Sequence, residues 1–120
     1  MFIKSLKDCK KTVAGDGTVI QEILPPDRPE YELRYSLAHA TLGPGKASFK
    51  HKLTSSEVYY ILEGKGTMHI GAEVSDVFPG QAIHIPANAI QYIENTGPGD
   101  LKFLCIVDPP WRKENDTILS

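Results

Sequence analysis

Ten glycines and nine prolines cut this chain into short segments. Many of the pieces between them are rich in Ile, Val, Tyr and Phe, residues that suit a pleated, half-buried strand. No segment carries a helical period long enough for a major helix. Strands are expected over residues 2–6, 18–24, 32–41, 47–53, 57–63, 66–70, 75–78, 81–85, 91–95 and 101–107. Turn signals separate them, among them Gly15-Asp16-Gly17, Gly43-Pro44-Gly45, Gly64-Lys65-Gly66, Pro79-Gly80 and Pro86-Ala87-Asn88. Many short strands at this spacing predict an all-β antiparallel sandwich or barrel.

The length of 120 residues fits one domain, 1–120. Pro25, Pro26 and Pro29 keep the N-terminal arm, 1–30, out of any central strand. That arm is expected to add strands to the sheet edge of a second copy. The C-terminal tail, 111–120, is polar after Trp111 and is expected to be loosely held. A net charge of -2 with scattered basic residues leaves no footprint for nucleic acid. Cys9 and Cys105 are too few and too far apart for a disulfide framework, so a reduced, cytoplasmic setting is expected. The opening residues lack the apolar core of a signal peptide, and no stretch is long and apolar enough for a membrane span.

Chemistry concentrates in residues 45–64, GKASFKHKLTSSEVYYILEG. On a strand, His51 and Leu53 share one face. The turn-forming run Thr54-Ser55-Ser56 then brings Glu57 back beside them. An imidazole and a carboxylate meeting at a pocket mouth make half of a divalent metal site. Tyr59 shares the parity of Glu57, so its phenol faces the same interior.

The spacing Gly45, five residues, His51, one residue, Leu53, three residues, Glu57, six residues, Gly64 resembles the first motif of the cupins. Gly80, five residues, Pro86, one residue, Asn88, two residues, Gln91, three residues, Asn95 resembles the second. The likeness spans about 33–107, which it marks as the core of a single cupin domain. It implies a jelly-roll barrel, the double-stranded β-helix, often homodimeric, with a metal held by motif residues. Three positions depart from the family. Asn88 replaces Gly, a mild change because Asn tolerates the left-handed backbone. Leu53 replaces a His and removes a nitrogen donor. Gln91 replaces another His with a harder and weaker amide oxygen.

The resemblance therefore implies His51, Glu57 and Gln91 as ligands of a divalent ion such as Zn, Fe, Mn or Ni, with Glu57 or Tyr59 near the reacting atom. The expected partner is a small polar metabolite, a sugar or carboxylate, handled by isomerase, lyase or oxygenase chemistry. The alternative expectation is a non-catalytic small-molecule-binding cupin with a weakened or vestigial metal site. Tyr35 and His39 share a strand face and are further pocket candidates. His69 and His84 are candidates to replace the ligand lost at Leu53. Asn95 is expected to fix the turn to Gly97, and Trp111 to act as a packing cap or dimer contact.

Overall fold

In the strand Leu101–Asp108 every second side chain, Leu101, Phe103, Cys105 and Val107, is buried, and the residues between them are less so. This period-two alternation is what a strand with one face on a core requires. It recurs in Ser56–Glu63 and Gln91–Asn95. The computed structural model of the protein describes residues 1–119. Its strands are β1 (Lys11–Val13), β2 (Val19–Leu24), β3 (Ser36–Leu42), β4 (His51–Leu53), β5 (Ser56–Glu63), β6 (Gly66–Ile70), β7 (Glu73–Val77), β8 (Ala82–Ile85), β9 (Gln91–Asn95), β10 (Leu101–Asp108) and β11 (Asp116–Ile118).

Two antiparallel sheets face each other, one ordered β1-β2-β3-β10-β5-β8 and the other β11-β4-β9-β6-β7. The expected jelly-roll barrel is therefore present. β10 sits at the centre, with Phe103 opposite Ala40 on β3 and Ile61 on β5. The buried core between the sheets holds Leu42, Ile61, Met68, Ile85, Ile93, Leu101 and Phe103. Each large apolar side chain so enclosed contributes roughly 1.5–3 kcal/mol.

The inward positions change character along each strand. On β5 they run Glu57, Tyr59, Ile61; on β10, Val107, Cys105, Phe103, Leu101; on β3, Ser36, Ala38, Ala40, Leu42. Large apolar groups fill one end of the barrel. Small or polar ones leave the other end open as a cavity of about 520 Å³.

Both termini differ from expectation. No strand forms over residues 2–6; a short 3₁₀ turn, Leu6–Asp8, follows instead. The arm pairs within its own chain, β1 on β2 and β2 on β3. Gln21 ties the start of the chain down by donating from Nε2 to the carbonyls of Leu6, at 3.1 Å, and Cys9, at 3.3 Å. The tail is not loose, because β11 pairs along the whole of β4. A polar segment can be held this way because backbone pairing does not need apolar side chains. Among the described residues, no helix is long and apolar enough to cross a membrane.

Candidate functional site

His51 opens β4 and is paired in register with Gln91 on β9 and Ile118 on β11. Its side chain is 6% exposed. Nδ1 lies 3.0 Å from Asp116 Oδ1, and Nε2 lies 3.5 Å from Asp16 Oδ2 without forming a hydrogen bond. The indole Nε1–H of Trp111 donates to the second oxygen of Asp116 at 3.2 Å, which holds that carboxylate in place. Burial opposes a charge on the imidazole. The hydrogen bond to Asp116 and the charges of Asp16, Asp116 and Glu57 outweigh it and raise the His51 pKa above its ordinary value. The same carboxylates that draw a proton to the ring would draw a metal cation to Nε2.

Glu57 stands on β5, next along the chain but in the facing sheet, with its carboxylate almost fully enclosed. Burial pushes its pKa up to about 7, against the opposing hydrogen bond from Gln91 and the nearby His51. Gln91 donates from Nε2 to Glu57 Oε1 at 3.1 Å, and its own Oε1 has no partner. Tyr59 packs its ring on Phe103 at 4.5 Å between centroids. Burial, reinforced by Glu57, raises its phenol well above the ordinary value, so the hydroxyl is a donor and not a base.

The cavity is lined by His51, Glu57, Tyr59 and Leu53, together with Asp16, Glu22, Trp111, Lys113 and Asp116 from the two ends of the chain. Two of the three expected ligands, His51 and Glu57, thus face it. Gln91 is not among its lining residues and meets the site through Glu57. Leu53 is buried on the wall where the resemblance calls for an imidazole.

None of the other histidines joins. His39 is buried on the outer face of its sheet, opposite Gln21 and Leu104, where burial and then Lys102 lower its pKa. His69 stacks on Tyr92 at 4.0 Å and contacts Glu94 on the outer face of the second sheet. His84 lies opposite Val58, facing outward. Tyr35 is exposed and precedes β3. Asn95 does fix its turn: Oδ1 accepts from the Gly97 N–H, and Nδ2 donates to the carbonyls of Leu42 and Gly99. Asn88 takes the left-handed backbone, φ 67°.

Sequence reasoning missed Asp16 and Asp116. Asp16 was legible only as part of a turn, and Asp116 lies in a polar tail with no periodic signal. Trp111 is a cavity wall hydrogen-bonded to Asp116.

Among the described residues, no three His, Cys, Asp or Glu side chains come together as a ready metal cluster. The donors fit an open site all the same. Buried His51 Nε2 offers an unpartnered nitrogen, surrounded by carboxylates whose charge one imidazole does not offset. A cation there would take few protein ligands and leave positions for water or a bound molecule.

Fold and cavity together define a jelly-roll barrel with a small, apolar-walled cavity that carries several carboxylates. The cupin domain profile matches residues 38–107, and the chain belongs to the cupin family. An uncharacterised protein of Methanocaldococcus jannaschii is 40% identical over 112 residues, covering 92% of this chain and 89% of that protein. The oxalate-binding protein of Thermotoga maritima is 34% identical over 71 residues, covering 58% of this chain and 59% of that protein. Among solved structures, the polyketide cyclase RemF of Streptomyces resistomycificus superposes with a TM-score of 0.82 at 18% identity, covering 100% of this chain and 86% of that one. At that identity the likeness concerns the fold alone.

Proposed function

We propose that this cupin binds a small polar metabolite in the barrel cavity beside a divalent cation, Zn, Fe, Mn or Ni, held through His51 and Glu57. The observation that carries this reading is the buried His51 Nε2, without a hydrogen-bond partner and facing a carboxylate. When bound, such an ion supplies a Lewis acid that polarises a carbonyl or hydroxyl oxygen. Asp116 accepts from Nδ1–H of His51 and so fixes the tautomer that leaves Nε2 free. Gln91 orients Glu57 from behind. Tyr59 offers a neutral phenol O–H to the ligand, and Trp111 with β11 screens the mouth from water. Isomerase, lyase or oxygenase chemistry on a sugar or carboxylate suits such a pocket. The relative named for binding oxalate supports a small-molecule ligand.

Protein purified without chelator is expected to carry metal, measured by elemental analysis. His51→Ala and Glu57→Ala are expected to lose most of it. Equal metal content in all three proteins would refute ligation by these residues. Leu53 on the cavity wall favours the second reading, a binding protein with a weakened metal site. That reading predicts ligand binding unchanged by chelation.

Homodimerisation is part of the proposal. Tyr60 and Leu62, outward on β5 beside the edge strand β8, stay exposed, and a second copy is the occupant their apolar surface suits. Light scattering of the parent is expected to give twice the chain mass, and Tyr60→Glu with Leu62→Glu half of that. A monomeric parent would overturn the dimer.

A further inference from the structure

We propose that Asp16 is a ligand of the cation, replacing the nitrogen donor lost at Leu53. The inference rests on the reading of the cavity as a cation site. It adds a residue from outside the 38–107 cupin match.

Asp16 sits in the turn between β1 and β2, which is closed by the Ala14 N–H donating to the Thr18 carbonyl at 2.9 Å and the Gly17 N–H to the Ala14 carbonyl at 3.0 Å. The Phe49 N–H, two residues before His51, donates to the Asp16 carbonyl at 2.8 Å and pins this turn against the approach to β4. One carboxylate oxygen, Oδ1, is fully engaged: it accepts from the Thr18 N–H at 3.0 Å and the Thr18 hydroxyl at 2.7 Å. The carboxylate is thereby locked, with Oδ2 directed at His51 Nε2, 3.5 Å away.

That separation is informative. It is too long for a charge-assisted hydrogen bond, which draws N and O to about 2.7–2.9 Å. Two ligands arranged tetrahedrally about an ion, each roughly 2.1 Å from it, stand about 3.4 Å apart. Both side chains are buried, 6% and 11% exposed, so bulk water does not satisfy the orphaned nitrogen. Glu57 and Asp116 add two more carboxylates around a single imidazole, and a divalent cation offsets that buried charge where the imidazole alone does not. An oxygen and nitrogen donor pair suits Zn, Mn or Fe.

The test uses chelator-stripped full-length protein titrated calorimetrically with Zn²⁺, and with Co²⁺ followed by visible absorption. Asp16→Asn retains Oδ1 for Thr18 and removes the charge at Oδ2. Asp27→Asn, an exposed ion-pair partner of Arg112, controls for net charge. Asp16→Asn is expected to weaken Zn²⁺ binding at least tenfold and to shift the Co²⁺ spectrum, with Asp27→Asn matching the parent. A parent that binds neither ion sinks the cation reading and Asp16 with it. A parent that binds both, with Asp16→Asn indistinguishable from it, leaves the cation reading standing and reduces Asp16 to a partner of the His51 ring. Should Asp16→Asn misfold by circular dichroism, a crystal structure of the Zn²⁺-loaded parent decides. Asp16 Oδ2 at bonding distance supports the inference, and Oδ2 remote from the ion overturns it.

Discussion

In metal-free protein, Glu57→Gln is expected to raise stability at pH 8 by roughly 3 kcal/mol. The ordinary carboxyl value of 4.5 applies to the unfolded chain, and burial lifts the folded value to about 7. Because the folded pKa is raised, the contribution of Glu57 is fully present below 4.5, where both states are protonated. It declines as pH rises through the window from 4.5 to about 7, since the unfolded chain gives up its proton first. Above that window the folded state carries an ionised carboxylate with too little compensation. Gln at this position stays neutral and can still accept from the Gln91 amide.

Urea unfolding of parent and variant in chelator should therefore give stabilities that nearly coincide near pH 4.5, separate up to about pH 7 and stay apart at pH 8. A constant offset across the whole range would show that Glu57 is not the strained group. Adding Zn²⁺ should restore the parent and leave the variant behind, because the charge that destabilises the empty pocket is the charge that holds the cation. Such a cost at a binding site is the usual exchange of stability for function.

Gly64→Ala is expected to cost roughly 3 kcal/mol or more, or to abolish folding. Gly64 has φ 87°, and a Cβ there would meet the Asp100 carbonyl oxygen at 2.4 Å. Neither atom is free to yield, because the oxygen belongs to the backbone and the Cβ position is fixed by the backbone at residue 64. The residue opens the Gly64-Lys65-Gly66 turn that carries the chain from β5, in one sheet, to β6, in the other. Gly71 provides the comparison, with φ 58° and nothing within 4 Å of an added Cβ. Gly71→Ala should cost only about 1 kcal/mol, the left-handed backbone penalty alone. Similar midpoint shifts for the two variants in thermal unfolding would show that the close approach at Gly64 carries no weight.

Strands β5, β6, β9 and β10 were legible almost to the residue, because each is a short run containing aliphatic or aromatic residues set between turn-forming residues. His51 and Glu57 were legible as inward neighbours through the same period of two. The short strands β1 and β11 were not. Three residues carry no measurable period, and KTV and DTI have no apolar face to announce them. Gln91 was legible only as a motif position; the fold sets it opposite His51 in register, yet its amide turns to Glu57 and it does not line the cavity.

From the residues alone came most of the strands, the turns and the inward face of His51, Leu53 and Glu57, since these depend on neighbours one to four positions away. Tertiary structure decided which groups meet. His51 and Asp116 are 65 residues apart, and Asp16 comes from the opposite end of the chain. Their convergence depends on both termini folding back over the barrel mouth, a long-range closure that leaves no periodic trace in the chain. What surrounds the imidazole, and with it the electrostatics of the pocket, exists only once the two sheets have closed.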